Sequence, residues 1–210
     1  MNLSGMCTLV RSDLHDEDSG SYRFTDTELE RHILHAVKDF SEAIPLEQTA
    51  LVATTSGSRD VSISSLVDRV MIEAVEYPSG KFPPYYQRFS LWADTLTLLG
   101  DEVPDGSNAR IYYGKLHTLS AGVSTISAIY EDLIATGAAG YAALEYAAYT
   151  INQVNTGGTG SPHDFLTFGK ERLSQFRREL KRLGRKNRVR VQSLYVPWAE
   201  PVSKMVVSGP

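Results

Sequence analysis

Four titratable residues at helical spacing, Glu28, His32, His35 and Asp39, are the first candidates for chemistry in this sequence. Side chains three or four positions apart share one face of a helix, so two imidazoles and two carboxylates would meet there. Such a set could bind a divalent metal ion, but no further ligand motif accompanies it. A solvent-exposed polar face that contains histidine explains the pattern better, and we predict no metal site.

A glycine-rich segment at residues 155–160 is the candidate for phosphate binding, because it precedes a predicted helix start, where anions bind. The segment follows a predicted helix instead of a strand, and no Lys-Ser or Lys-Thr pair comes after it. It therefore lacks the features of a phosphate-binding loop or a dinucleotide fingerprint. We interpret it as a flexible connection between two helices.

The sequence also contains no motif that is typical of a catalytic site. The serines show no nucleophile-elbow motif, and no His-Asp pair is placed by sequence to activate one of them. The single cysteine, Cys7, cannot form an internal disulfide bond, which favours folding in a reducing cytosol. We expect no catalytic residue and no cofactor, and an unrecognised hydrolase would have no nucleophile to name.

The net charge of −4 is distributed very unevenly along the chain. Residues 1–169 contain 10 Lys or Arg and 22 Asp or Glu, a net charge of −12, whereas residues 170–190 contain 10 basic and 2 acidic side chains, a net charge of +8. The basic segment is either the solvated face of a helix or a contact for an acidic partner. Because the acidic body repels nucleic acid, we favour a protein surface as that partner, copies of this chain included.

Three long helices are predicted. The first begins at Thr25, where Thr25 and Glu28 form a capping box, and ends before Pro45. The second runs from about residue 127 to 155, and the third follows a cap at residue 161 and ends near Gly184, a plausible C-cap. Apolar residues alternate by three and four positions along the second and third helices, which predicts an antiparallel helical hairpin.

Residues 46–118 differ in character, because Val, Ile, Thr and Tyr become frequent and turn signals arrive at short intervals. This pattern predicts a small antiparallel sandwich or barrel inserted into a helical protein. The candidate strands are Ala50–Thr55, Val70–Tyr77, Arg88–Trp92, Thr95–Leu99 and Ala109–Leu116.

The predicted fold class is therefore α+β: a mainly helical bundle, made of the long antiparallel hairpin and an N-terminal helix, with an inserted antiparallel β domain. The helical domain comprises residues 1–45 and 119–187, the β domain comprises 46–118, and 188–210 form an extended C-terminal arm. The start of the chain lacks the basic and apolar features of a signal peptide. The most apolar stretch, residues 133–151, is mostly Ala and Gly, so we expect a soluble protein without a membrane span.

The second helix is apolar on all sides, and such a helix must be covered on all sides. Either its own domain buries it, or a neighbouring subunit does. Because the chain has few other helices, we favour the neighbouring subunit and expect Ala139, Ala143 and Ala147 at a subunit interface.

Six short phrases of the chain form a recognisable set: Leu9–Glu17, Arg23–Leu29, Val75–Pro78, Tyr113–His117, Glu131–Asn155 and Arg185–Tyr195. They resemble a known family, the head–tail connector (adaptor, head-completion) proteins of long-tailed bacteriophages. The order of the elements is similar as well, with a short helix, a loop and a long helix at the start. The β insertion resembles that of the larger members.

This resemblance implies a structural virion protein, assembled in the host cytoplasm and located at the head–tail junction. It implies a dodecameric ring that binds the portal on one side and a neck or tail protein on the other, while genome DNA passes through without specific binding. The alternative function is a nucleic-acid-binding module that uses residues 170–190. Under the connector hypothesis the contacts with the portal are Arg185, Arg188, Arg190, Tyr195 and Trp198.

Overall fold

The computed structural model describes the backbone of residues 1–150 and 162–192, and it shows an α+β fold, as predicted from the sequence. The chain divides into two compact units. The first, the helical unit, consists of Met1–Leu46 and Leu116–Gly184, and the second, the β unit, consists of Glu47–Lys115 and the residues from Arg185 onward. The predicted limits of the insertion were residues 46 and 118.

Four α-helices belong to the described part of the chain, and a short 3-10 turn, Ala128–Tyr130, precedes the third. None of these helices has an apolar stretch long enough to cross a membrane. Their bounds are α1 Leu3–Asp13, α2 Asp26–Ala43, α3 Glu131–Thr150 and α4 Pro162–Gln192.

The start of α2 confirms the predicted capping box. The Thr25 hydroxyl accepts a hydrogen bond from the Glu28 backbone N–H at 3.3 Å, and the Glu28 carboxylate accepts one from the Thr25 N–H at 2.7 Å. Phe24 and Leu29, on either side of this cap, are both buried in the same apolar core. The cap and the buried pair together determine the direction in which α2 leaves the preceding loop.

That loop is held by a buried arginine, Arg11, at the end of α1. Its guanidinium donates to Asp16 and to Asp26, at 2.7 Å each, and to the carbonyl oxygen of Phe24 at 2.9 Å. Asp16 in turn accepts the backbone N–H of Arg23 at 2.7 Å. Because Arg11 and Asp16 are both buried, these charge-assisted bonds satisfy groups that water cannot reach.

Helices α3 and α4 run antiparallel in very close contact. A Cβ atom placed on Gly137 would lie 2.9 Å from the ring of Phe176, and one on Gly140 would lie 2.8 Å from Cγ of Leu173. These distances are shorter than normal van der Waals contacts, so only glycine fits at either position. The contact residues rise along α3 as they fall along α4, which defines the antiparallel arrangement.

The burial of α3 corrects one prediction. Ala139 and Ala143 are completely buried, and Ala147 almost completely, in the single chain. Contacts with α1 and α2 add to the α4 contact, so the helices of this unit cover the part of α3 that contains these alanines by themselves. The three alanines are not available to a neighbouring subunit, because α1, which the sequence only hinted at, and the close approach of α4 supply the cover.

The end of α4 corrects a second prediction. The helix does not stop at Gly184 but continues to Gln192, so residues 188–192 are helical and do not belong to an extended arm. Gly184 does not adopt the positive φ of a helix C-cap, and a Cβ atom there would lie 3.4 Å from the carbonyl oxygen of Ala43 on α2. The residues after Gly184 include Arg, Lys and Gln and no proline, and these favour continued helix. The rest of the predicted arm, residues 193–210, lies outside the described residues.

The β unit contains two three-stranded sheets, with strand orders β1-β6-β3 and β2-β5-β4. Pairing is antiparallel between β3 and β6 and throughout the second sheet. Strand β2 was not predicted, because three residues with one buried side chain leave no readable alternation. The strands are β1 Leu46–Ala53, β2 Asp60–Ser62, β3 Arg69–Glu76, β4 Phe89–Trp92, β5 Thr95–Leu98 and β6 Asn108–Lys115.

The surroundings of two helical glycines lead to opposite predictions for their substitution by alanine. Gly140 lies in the contact between α3 and α4, and Gly184 faces α2. Alanine normally favours a helix over glycine by about 1 kcal/mol. Gly140→Ala should nevertheless lower the free energy of unfolding by about 1–3 kcal/mol, because the new methyl group clashes with Leu173. Gly184→Ala, which meets only ordinary contacts, should leave stability unchanged or raise it by up to about 1 kcal/mol.

Urea denaturation of the two variants and the unchanged chain measures both effects. A destabilised Gly184→Ala variant would contradict the continuous helix, because that is the outcome expected for a glycine cap. A Gly140→Ala variant as stable as the unchanged chain would contradict the close contact.

Candidate functional site

The most prominent surface of the helical unit is the side of α4 that faces away from the core. Leu173, Phe176 and Leu180 are buried on the inner side of this helix. The outer side, called the basic face below, carries exposed cations at successive turns. They are Lys170, Arg177, Arg178, Lys181, Arg182, Arg185 and Lys186.

Few acidic groups neutralise the basic face from within the chain. Arg182 donates to Glu179, one turn before it on the same helix, at 2.8 Å. Among the described residues, Arg178 and Lys181 form no ion pair. An exposed pair such as Arg182–Glu179 contributes less than about 1 kcal/mol, so most of the positive charge remains available to a partner.

The structure brings together three of the five residues that were predicted to contact a portal. Arg185, Arg188 and Arg190 all belong to the last turns of α4, and the side chain of Arg185 is exposed. Tyr195 and Trp198 lie outside the described residues. The three arginines therefore belong to one helix and not to an extended arm.

A second polar surface lies where α2 crosses α3. Nε2 of His32 is 2.9 Å from the carboxylate of Glu145, which also pairs with Arg31. The Tyr141 hydroxyl donates to Asp39 at 2.5 Å. These contacts join the middle of α2 to the second half of α3, so they position the two helices relative to each other.

The four residues considered as metal ligands, Glu28, His32, His35 and Asp39, are already engaged elsewhere. Glu28 closes the capping box and His32 pairs with a glutamate, while the ring of His35 stacks on Tyr141 with the ring centres 4.2 Å apart. No group of three or more His, Cys, Asp or Glu in the described part of the chain could hold a metal ion. Their shared helix face supports contacts between helices.

Two histidines, the buried His32 and the half-buried His117, have a lowered pKa. Burial is the main cause for each, and the neighbouring carboxylate of Glu145 partly opposes it at His32. The His117 ring lies 3.1 Å from the carbonyl oxygen of Ile44 through Nε2 and 3.2 Å from that of Thr125 through Nδ1. His117 thus joins the end of α2 to the loop before α3.

The β unit exposes large aromatic side chains that sequence reasoning did not single out. Phe82 is 96% exposed and Trp92, at the end of the edge strand β4, is 86% exposed. Phe82 stands directly before Pro83 and Pro84, so its segment cannot join a regular ladder of hydrogen bonds. This proline pair was the signal available in the sequence, where it was used only to place a turn.

Strand β3 also carries two buried carboxylates. Glu76 accepts hydrogen bonds from the Gly80 N–H at 2.7 Å and from the Tyr112 hydroxyl at 3.1 Å, so it holds the turn that follows the strand. Within the described residues, one carboxylate oxygen of Glu73 is buried without a hydrogen-bond partner, and burial raises the pKa of this group. The alternating sequence pattern of the strand did not predict that either glutamate is buried, because glutamate on a strand is usually exposed.

Comparison with protein-family models and with curated protein sequences finds no match to this chain. The function must therefore be argued from the residues that carry the family resemblance and from the surfaces described above. Of these surfaces, the basic face of α4 has the clearest requirement for a partner, because most of its charge is not compensated by acidic groups in the described part of the chain.

The lowered pKa of His32 predicts a loss of stability on acidification. The unfolded chain binds a proton at the ordinary histidine pKa near 6.5, whereas folded His32 resists protonation. The free energy of unfolding should therefore fall as the pH drops below about 6.5, toward the lower pKa of the folded state. His32→Gln should make this fall smaller, leaving the contribution of His117.

Chemical denaturation at pH 7 and pH 5.5 measures the change, with substitution of the exposed His163 by Gln as the matched control. An equal loss of stability in the His32→Gln variant and the unchanged chain would show that His32 does not contribute.

Proposed function

We propose that this chain is a structural virion protein of a tailed bacteriophage, a subunit of a ring that joins the portal to the neck or tail. The observation that carries the proposal concerns the two phrases that resemble the connector family at the start of the chain, Leu9–Glu17 and Arg23–Leu29. These segments contain Arg11, Asp16 and Asp26, which form the ionic network between α1 and α2, with Arg11 and Asp16 buried and Asp26 exposed.

The phrases that resemble the family contain the residues of this ionic network, and this overlap supports the proposal. Removing one partner of a buried ion pair leaves an uncompensated charge, which costs about 3–5 kcal/mol. The helix and loop held in this way therefore depend on Arg11 and Asp16, the buried pair. The resemblance therefore involves the residues that determine the geometry of the entry to α2, and not only surface residues.

The distribution of charge is also consistent with a ring around DNA. A net charge of −12 over residues 1–169 disfavours binding of DNA that must slide through a channel. The basic face of α4 gives the subunit one region that attracts an acidic protein. We assign this region to contacts within the head–tail junction, with the portal and with copies of the chain.

The detailed architecture follows from the same proposal. The N-terminal helices and the antiparallel hairpin would form the ring-building bundle, and the β unit would be the insertion found in the larger members of the family. The ring would be dodecameric, assembled in the host cytoplasm. Residues 193–210 would extend from α4 toward the portal, and the opposite side would receive the neck or tail protein.

A phage that encodes this chain tests the proposed function directly. A stop codon early in the gene should yield DNA-filled heads without tails. Addition of the purified protein to these heads in an extract that supplies tails should restore infectivity. Cryo-electron microscopy should then show a ring between the portal and the tail. Heads that acquire tails without the protein would contradict the proposal.

A nucleic-acid-binding module is the second candidate, favoured by the cations exposed along α4. Binding of duplex DNA requires several phosphates to be neutralised together and weakens steeply with salt. We expect weak or undetectable binding at about 0.15 M salt, because the acidic body opposes it. Fluorescence anisotropy with labelled DNA measures this, and salt-sensitive binding below about 1 μM would favour the second candidate.

The residues beyond α4 provide a test of attachment to the portal. Deletion of residues 193–210 keeps every described residue of α4 and should yield a folded protein that no longer binds the portal. The reason is that Tyr195 and Trp198 are lost, and aromatic residues dominate the binding energy of many interfaces. Co-sedimentation with purified portal compares the truncated and full chains, and undiminished binding would exclude this segment as the attachment device.

A further inference from the structure

The two ends of the helical unit can be identified from contacts among its helices. At one end, the ring of Tyr146 on α3 lies 5.4 Å from that of Phe24, just before α2, and 4.7 Å from that of Phe165 on α4. At the other end, Gly184 of α4 approaches Ala43 at the end of α2. Helices α2 and α4 therefore run in the same direction, and α3 runs antiparallel to both.

The first end is acidic. Residues 11–31 contain seven Asp or Glu and three Arg, and Glu145 and Asp164 lie at the same end of the unit. Arg11 pairs with Asp16 and Asp26, and Arg31 pairs with Glu145. Among the described residues, Glu17 and Glu30 form no ion pair.

This acidic end also exposes aromatic surface, since Tyr149 is 71% exposed and Tyr22 is 45% exposed. Carboxylates beside exposed aromatic rings suit arginine, which can form an ion pair and stack on a ring at the same time.

The chain already contains one example of this chemistry. The guanidinium carbon of Arg11 lies 3.6 Å from the centre of the Tyr22 ring while the same group pairs with Asp16 and Asp26.

The second end carries most of the basic face that belongs to the helical unit. Residues 177–184 of α4 contain four Lys or Arg and one Glu. Glu42 on α2 and Asp132 on α3 are exposed at the same end, so the excess of positive charge is confined to the α4 side.

The acidic end and the C-terminal half of the basic face, which contains Arg178 and Lys181, are too far apart to neutralise each other. From Phe165 to Lys181 the distance along α4 is about 24 Å at 1.5 Å per residue. Charges in water are screened over about 8–10 Å at physiological salt. A partner for Arg178 and Lys181 must therefore come from a surface other than the acidic end of the same chain.

We infer that the basic face of α4 docks on the acidic end of a second copy of the chain, so that the helical units associate head to tail. This inference rests on the proposed function, because it names the surfaces through which the copies would form the ring. Two different surfaces in contact make a heterologous interface, which closes into a ring when the rotation between copies permits. Complementary charge favours a second copy over DNA. Each copy supplies one basic and one acidic surface, so in a ring of copies both surfaces are paired, whereas DNA could pair only with the basic one.

Charge reversal on each surface tests the docking. The basic-face variant combines Arg178→Glu with Lys181→Glu, and the acidic-end variant combines Glu17→Lys with Glu30→Lys. Each should weaken self-association about 10-fold or more, because like charges would then face each other. A chain with all four substitutions has both surfaces reversed and should associate like the unchanged protein.

A variant with Lys81→Glu and Arg88→Glu serves as the control. It has the same change in net charge as the basic-face variant, at exposed positions of the β unit. It should associate like the unchanged chain. Sedimentation velocity at low and high salt measures association, and circular dichroism identifies any variant that fails to fold.

A zero-length carbodiimide cross-linker provides the second measurement. Applied to a mixture of isotopically light and heavy full-length protein, in solution and on filled heads, it should join Lys181 of one copy to Glu17 or Glu30 of another. Mass spectrometry then separates cross-links between copies from those within a copy.

The outcomes distinguish this inference from the proposed function. If the protein completes filled heads but the folded variants associate normally, or no such cross-link forms, the inference is wrong and the proposed function stands. If these surfaces join copies but the protein does not complete heads, the docking stands and the proposed function is wrong. A protein that stays monomeric both in solution and on heads, or a folded four-substitution chain that stays dissociated, would overturn the docking.

Discussion

The close approach of α3 and α4 is the constraint on which the other features of the helical unit depend. Gly137 and Gly140 let the two backbones come together around Phe176 and Leu173, and this contact buries the apolar surface of both helices. With its inner side committed to α3, α4 can direct its cations only outward. The acidic and basic ends of the unit are thus a consequence of packing as well as of sequence.

Local sequence signals predicted the parts of the fold that depend on residues adjacent in the sequence. The capping box at Thr25, the start of α4 at Pro162 and five of the six strands depend on a few adjacent side chains, and they were found where expected. Errors arose where a residue has a distant partner. Gly184 was predicted to be a cap, but no local pattern reports its approach to Ala43.

The same distinction applies to the candidate surfaces. Composition alone located the basic segment, but only the continuation of α4 shows that its cations belong to one helix face. Ala139 and Ala143 were assigned to a subunit interface because the sequence does not show how much cover α1 and α4 provide. The network around Arg11 was also missed, since its partners Asp16 and Asp26 lie five and fifteen residues away, with no periodic pattern.

Because its side chain is exposed, Trp92 can serve as an intrinsic fluorescence probe. The chain has two tryptophans, Trp92 and Trp198, and the indole of Trp92 is 86% exposed at the end of strand β4. A water-exposed indole emits at long wavelength, and its emission shifts to shorter wavelength when another surface covers it. In a chain that ends at Gln192, Trp92 is the one remaining indole. Its emission would therefore report contacts of the β unit without an attached dye.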